Sequence, residues 1–492
     1  MIATGQMLNL FRVAPEFLLC IAGIIIMLLD PFVGPARKRW LGWLGFAGAL
    51  FALLAVHRAY DSQGFAYDNL ISTDVFSVFV HSVVIIAAAL AILGSIDYLE
   101  REGIQRGEYY ALVLFGAAGM GILAGANELV TAFVGLEMSS ISTYILVGFR
   151  RKAAASNEAS IKYFLLGSFA TAFFLYGISM VYGATGTTYI DKVAAALQSG
   201  QPSDLNLAVL GLGLIFVGLG FKTVIAPFQV YGPDVYEGAP TPVTAFLASA
   251  PKVSAFALML RVFYVSFGSA SDFWFWALLI SAILTMCIGN FAALVQTNVK
   301  RMLAYSSIAH AGYILVAFAA STTLGVAAVL FYLAAYVFMK VGAFLIVTHL
   351  GQQGERRLDI QDYAGLGTRQ PVLAACFSLF LLSLLGLPAT GGFLGKFFAF
   401  QSALDAYSTH GKWIVWLVVI AAINSVIGAY YYLRVIISMY FAEPSRDYIP
   451  SSVAPALVVA IFIAAVGTLY LGILPSGVLA FAQRAADSLP LH

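Results

Sequence analysis

The 492-residue sequence predicts an all-α polytopic membrane protein of about fourteen transmembrane helices, with two inverted five-helix repeats that each contain a broken helix. Three observations carry this expectation. The chain is 61% hydrophobic and only 10% charged; apolar runs of around twenty residues recur from Ala14 to about Leu474; and two of those runs are broken by proline five helices apart. A chain of this length folding in water needs far more charge to cover its surface.

The first apolar run, Ala14 to Leu29, is followed by Asp30, Pro31 and a basic cluster where a signal peptide would carry a small-residue cleavage site, so it reads as a retained helix. The remaining spans follow from length and polar interruptions. The expected cores are 14–32, 40–57, 75–97, 108–125, 128–149, 159–183, 206–230, 241–267, 273–295, 301–320, 323–349, 371–405, 413–441 and 453–474. Loop charge tests this count, because cytoplasmic loops collect Lys and Arg. Arg37, Lys38, Arg39, Arg101, Arg106, Arg150, Arg151, Lys152, Lys300, Arg301, Arg356, Arg357, Arg369 and Arg446 fall in one alternating set of loops, and only Arg58, Lys192 and Lys412 in the other. Both termini are therefore expected on the outer side. Short loops argue for one bundle, and the longer stretch from Tyr182 to Leu205 reads as a surface helix, with Ile190, Val193, Ala194 and Leu197 at helical spacing.

Pro227 interrupts the seventh span, and Pro388 with Gly391 and Gly392 the twelfth. Proline removes a donor and clashes with the preceding turn, so each helix bends or unwinds there. Each break lies beside a lysine, and an odd offset of five makes two five-helix units run in opposite directions, as in many transporters. Kinks without function are the plainer alternative, since Pro and Gly are common in membrane helices.

Five charged residues lie inside apolar spans: Glu137, Lys222, Lys252, Lys340 and Lys396. Each costs ~2.5–3.5 kcal/mol on insertion scales, so a string of them marks an ion path; snorkelling or a static ion pair is the bland reading of any one. Glu137 has no opposite charge one turn away, so its partner is expected from another helix, with Lys222 the candidate. Two unit charges ~10 Å apart at an effective dielectric of ~20 interact by roughly 1.7 kcal/mol, enough to move a proton affinity by more than a unit. His310, mid-span near Ser306 and Ser307, is a proton-relay candidate or a neutral histidine satisfied by its neighbours. His81 and His349 have less polar company and read as structural. The glycines Gly211, Gly213, Gly218 and Gly220 have no strand before them, so they read as helix-packing positions and not as a phosphate loop.

Other classes are set aside. A net charge of +2 without any basic block excludes nucleic acid as a partner, and Cys20, Cys287 and Cys376 stand singly, without the spacing of a zinc or iron–sulfur site.

The runs Val134-Gly135-Leu136-Glu137-Met138, Phe221-Lys222-Thr223-Val224-Ile225-Ala226-Pro227-Phe228, Asp234-Val235-Tyr236-Glu237-Gly238-Ala239-Pro240 and Lys300-Arg301-Met302-Leu303-Ala304-Tyr305-Ser306-Ser307-Ile308-Ala309-His310 resemble the antiporter-like membrane subunits of proton-pumping NADH:quinone oxidoreductase, respiratory complex I. Within that family the form of the third run and the length are most similar to the bacterial N type, the counterpart of mitochondrial subunit 2. The resemblance implies three N-terminal helices over 1–107, inverted repeats over 108–267 (helices four to eight) and 268–442 (helices nine to thirteen), and a last helix and tail over 443–492. It implies that Glu137 and Lys222 form a switching pair, that Lys252 is the central lysine, that Lys396 communicates with one side, and that His310 lies near the polar axis. Three positions depart from the pattern: Gln229 where many relatives have His, Pro251 where Ser is common, and Lys340 where the N type is often uncharged.

The function expected is proton translocation in a bacterial plasma (inner) membrane, driven by redox chemistry in partner subunits. NADH, FMN, iron–sulfur clusters and quinone are expected in those subunits and no redox centre in this chain. A subunit of a cation/proton antiporter complex is the alternative, and a non-transporting scaffold is a third reading.

Overall fold

A computed structural model describes residues 2–34, 37–199, 202–443 and 452–490; Arg446, one of the loop charges above, lies outside them. The N-terminal part comprises α1 (Ile2–Arg12), α2 (Ala14–Leu29) and α3 (Arg39–Asp61), a short antiparallel hairpin of β1 (Gly64–Ala66) and β2 (Ile71–Thr73), then α4 (Val75–Arg101). There follow α5 (Gly107–Gly125), α6 (Leu129–Val147), α7 (Ala154–Thr185), α8 (Ile190–Ser199) and α9 (Pro202–Thr223). Three pieces, α10 (Gly232–Gly238), α11 (Thr241–Leu247) and α12 (Ala250–Leu260), lead through one π-helical turn, Arg261–Ser266, to α13 (Ser271–Leu294), α14 (Val299–Phe318) and α15 (Thr323–Leu350). The rest is α16 (Leu366–Arg369), α17 (Pro371–Leu385), α18 (Gly391–Asp405), α19 (Tyr407–His410), α20 (Lys412–Phe441), α21 (Pro455–Ile473) and α22 (Ser476–Asp487).

Among the described residues, twelve helical stretches are long and apolar enough to cross a membrane. They match twelve of the expected cores. The other two cores are helical but fail on composition or length: α14 opens on Lys300 and Arg301 and carries a polar face, and the twelfth core is split into α17 and α18, 15 residues each. The surface helix expected before the seventh span is α8, which buries Ile190, Val193 and Ala194 and exposes Asp191 and Lys192.

Helices that are apolar all round belong in a core or against lipid. Burial separates the two kinds here: the apolar window of Thr241–Ser266 is wholly buried and that of α15 94% buried, against 33% in α7. On α7, Ile161, Leu165, Phe169 and Phe173 recur every four residues as an exposed apolar stripe. Its opposite face closes on α9 through glycine: of the four α9 glycines read as packing positions, Gly211 and Gly218 face α7, whereas Gly220 faces Phe228 and Gly213 meets nothing within 4 Å. A Cβ at Gly177 would meet the Gly211 carbonyl oxygen at 2.6 Å, and one at Gly218 would meet Phe174 at 2.6 Å.

Side chains close the helix starts. Asp74 caps α4 in a reciprocal box with Ser77, Glu128 accepts from Val130 N and Thr131 N at the start of α6, Asn298 caps α14 and Thr322 caps α15. One loop carboxylate ties several elements together. Glu355 Oε1 accepts from the Tyr98 hydroxyl (2.7 Å), Thr241 N (2.7 Å) and Thr241 Oγ1 (2.6 Å), while Oε2 faces Lys300 Nζ at 2.9 Å and Arg150 at 3.3 Å. It thereby joins α4, α11, α14 and the loop after α6. Burial pushes its carboxyl up, but the Lys300 charge and the hydrogen bonds from Thr241, Lys300 and Tyr98 outweigh that and hold it down at about 2.

Glu355→Ala leaves Lys300 buried without its anion and is expected to destabilise the chain by about 3–5 kcal/mol, read by thermal unfolding in detergent. Because the carboxyl is held below its ordinary 4.5, its stabilising contribution is full above that pH and lost only as pH falls through about 2. The difference in stability between wild type and Glu355→Gln should therefore persist at neutral pH and shrink only in strong acid.

Candidate functional site

Two of the five charged residues singled out in the sequence, Lys252 and Lys340, meet on α14. Lys252, fully buried near the start of α12, donates to the Ser307 carbonyl oxygen (2.5 Å) and to Ser307 Oγ (2.8 Å), and Ser307 Oγ lies 2.6 Å from the Tyr336 hydroxyl. Lys340, fully buried in α15, donates to the Leu303 carbonyl oxygen (2.6 Å) and Ser306 Oγ (3.0 Å). Ser306 Oγ is hydrogen-bonded to the Tyr432 hydroxyl, which lies 3.2 Å from His310 Nε2, while His310 Nδ1 lies 2.8 Å from the Tyr332 hydroxyl. One helix face thus serves two amines and an imidazole. Leu303, Ser306, Ser307 and His310 sit at the three- and four-residue spacing that places them together.

Both helix breaks are present, and each has its peptide groups met by protein. In the first, the helix ends earlier than expected, at Thr223 directly after Lys222, and Pro227 lies in the irregular segment that follows. Val224 there has φ 61°, a left-handed conformation costly for a β-branched residue. Ala226 N donates to Thr285 Oγ1 (2.8 Å), the Ala226 carbonyl accepts from Ser281 Oγ (2.6 Å), and the Phe221 carbonyl accepts from the Tyr231 hydroxyl (2.9 Å). In the second break α17 ends on Gly386 at φ 98°, where glycine alone avoids a Cβ clash, and Leu387 N reaches back to the Leu382 carbonyl at 2.9 Å. Lys396 Nζ donates to the Leu385 carbonyl oxygen (2.9 Å) at that helix end and to Ser425 Oγ (2.8 Å). A cation at a helix C-terminus also meets the negative end of its dipole.

Lys222 is placed differently from expectation. It makes no ion pair with Glu137; instead its amine donates to the Tyr163 hydroxyl at 3.3 Å and lies 5.4 Å from the Tyr144 ring centre. Tyr163 stacks on Tyr231 at 5.3 Å, and the nearby Tyr236 lies close to Ser307. Aromatic hydroxyls therefore fill the stretch between Lys222 and the α14 face. Glu137 is half-buried, with Oε1 lacking any partner. It shares a helix face with the exposed Val130, Val134, Ile141 and Ile145, but that Oε1 is itself buried, and the carboxylate lies near Tyr144, the ring that Lys222 also approaches.

The third motif run folds into α10 as a charged knot with a buried aromatic back. Asp234 accepts from Lys162 (2.8 Å) and Arg301 (3.0 Å), Glu237 accepts from Arg301 (2.6 Å), and Tyr236 is buried behind them. No group of three or more His, Cys, Asp or Glu with metal-binding proximity occurs among the described residues.

The model of the NADH:quinone oxidoreductase/Mrp antiporter transmembrane family matches residues 126–428, the region that holds Glu137, His310 and the four lysines, while Tyr432 lies just beyond it. The chain belongs to that family. It is 47% identical to the NADH-quinone oxidoreductase subunit N 1 of Solibacter usitatus over 479 residues, 97% of each chain. It is also similar to a chain in respiratory complex I from Thermus thermophilus, with TM-score 0.78 and 34% identity over 95% of this chain and 99% of that one. A chain of the Mrp complex from Dietzia superposes with TM-score 0.84 over 97% of each chain, but at 22% identity that likeness is one of fold.

Sequence reasoning missed the tyrosines. Tyr163, Tyr332, Tyr336 and Tyr432 carry as much of the polar line as the lysines do, and the spacing Tyr332, Tyr336, Lys340 on one helix face was the available signal.

The crossing of α17 and α18 sets the reach of Lys396, and it requires Gly392, where a Cβ would lie 1.9 Å from the Ser383 carbonyl oxygen. Gly392→Ala is expected to cost at least about 1–3 kcal/mol of stability by thermal unfolding. Gly213→Ala, with nothing within 4 Å, should stay within about 0.5 kcal/mol of wild type.

Proposed function

We propose that this chain is a proton-translocating membrane-arm subunit of an NADH:quinone oxidoreductase, in which protons move along buried Lys and Glu side chains under the drive of redox chemistry in partner subunits. The observation that supports this most is the buried line of amines, hydroxyls and imidazole from Lys252 through Ser307, Ser306 and Tyr432 to His310, all but Tyr432 inside the matched region. A static core has little reason to bury two amines in an apolar bundle at such cost.

In this reading Glu137 is the input. Its half-buried carboxylate has one buried oxygen without a hydrogen-bond partner and stands among exposed apolar side chains of α6, where an adjoining membrane subunit can reach it. A change there alters the field at Lys222, which passes the proton by way of Tyr163 and Tyr236 to Lys252 at the centre. Lys340 and His310 relay it within the α14 face, and Lys396 communicates with one side of the membrane. The reading takes α14 as a crossing and α17 with α18 as one broken crossing, giving fourteen, with inverted repeats over 108–267 and 268–442. The break after Lys222 and the break before Lys396 support that symmetry. Both termini then lie on the outer side of a bacterial inner membrane. NADH, FMN, iron–sulfur clusters and quinone are held by partner subunits, and this chain acts on protons alone.

Glu137→Ala and Lys222→Ala are expected to abolish or sharply reduce quinone reductase activity coupled to pumping while the complex still assembles. Proton uptake into vesicles, measured beside co-purification of the flavin and iron–sulfur subunits, checks both. Undiminished pumping by an assembled Glu137→Ala complex overturns the role given to Glu137.

A further inference from the structure

A second ionisable pair is buried in the N-terminal helices, apart from the lysine row. Glu16 in the first turn of α2 and His81 in the second turn of α4 are 8% and 3% exposed. Glu16 Oε1 and the Gly121 carbonyl oxygen of α5 each lie 3.0 Å from His81 Nε2. Both are acceptors, so Nε2 carries a hydrogen and divides it between them. The polar atoms left over, His81 Nδ1 and Glu16 Oε2, are buried and have no hydrogen-bond partner. Those are the two atoms at which the pair gains or loses one further proton.

The surroundings are built around this contact. A Cβ at residue 121 would come within 2.7 Å of Glu16 Oε1, so glycine there is what lets the carboxylate reach the ring. The ring also faces the last turns of α5, whose carbonyl end favours a cation. Of the other charged or titratable groups, Cys20 follows Glu16 by one turn of α2, and Asp74 caps α4 two turns from His81. Arg261 holds Asp74 at 2.7 Å and donates to the Ala124 carbonyl oxygen at 2.8 Å. Asp74, Arg261, Ser72 and Asn127 line a cleft of about 480 Å³ at this end of the bundle. The partition is thin. A methyl placed on Gly125 would stand 3.3 Å from the Ser72 carbonyl oxygen and 3.8 Å from His81 Nε2.

We propose that Glu16 and His81 form a proton-binding site of their own, which takes one proton as an imidazolium–carboxylate pair and exchanges it with the Asp74–Arg261 cleft. On binding, Nδ1 gains one proton from water and Nε2 keeps its hydrogen; on release Nδ1 gives that proton back to water and the ring is neutral beside the carboxylate.

The test uses the full-length chain in lipid nanodiscs with ¹⁵N-labelled histidine, titrated from roughly pH 5 to 8. One of the six histidines should pass between the Nε2–H ring and imidazolium, and its signal should be absent from His81→Gln. In Glu16→Gln the ring should stay neutral until the pH is about 1–3 units lower, while the other five histidine signals, unmoved, report an intact fold. Should that variant misfold, Glu16→Asp keeps the charge and should keep the titration. Gly125→Ala should leave the midpoint alone and slow exchange of the ring proton several-fold. A His81 ring in one state across the range, or a midpoint indifferent to Glu16→Gln, overturns the site; unchanged exchange in Gly125→Ala overturns the route through the cleft.

Discussion

A lysine amine carries only donors when protonated, and in an apolar bundle it must find acceptors in the protein itself. That requirement governs the middle of this molecule. Lys252 and Lys340 are both fully buried, and both are met by the same turn of α14: the Ser307 carbonyl and hydroxyl for one, the Leu303 carbonyl and Ser306 hydroxyl for the other. Ser and Thr hydroxyls that point along a helix loosen its own ladder slightly, and α14 uses two in succession to serve its neighbours. The tyrosines then extend the line, because a phenol both donates and accepts and so can sit between two groups of either kind.

The same requirement explains the helix breaks. Irregular backbone at membrane depth survives only where its peptide groups are satisfied by protein or line a wet cavity. Ser281 and Thr285 of α13 serve the first break, and Lys396 itself serves the second. In each case a lysine, Lys222 or Lys396, lies beside the interrupted helix end, so irregular backbone and a buried amine share one polar neighbourhood. At the loop end of the bundle Glu355 does the opposite work. It draws four separate elements onto a single carboxylate and leaves that rim little freedom.

Much of this was legible in the residues. Twelve spans, the surface helix α8, the packing glycines Gly211 and Gly218 of α9 and the two breaks all follow from local pattern, because bilayer thickness and backbone satisfaction act on each segment independently. Pairing was harder to read, because it is decided between segments. Glu137 and Lys222 stood as natural partners by charge, yet Lys222 turns to Tyr163, and Tyr144 lies near both. His81 appeared to lack polar company, since its partner Glu16 lies at the start of a helix two spans away. The tyrosines passed unnoticed for a different reason: in a chain with 25 of them, each reads as aromatic bulk until a hydroxyl is seen to bridge two others.

Ser306 and Ser307 are adjacent on one helix face, and they meet amines from two different helices, α15 and α12. A small turn of α14 about its axis therefore cannot shorten one contact without altering the other. One helix thus holds both amines, and their acceptor geometries are tied to each other through its backbone.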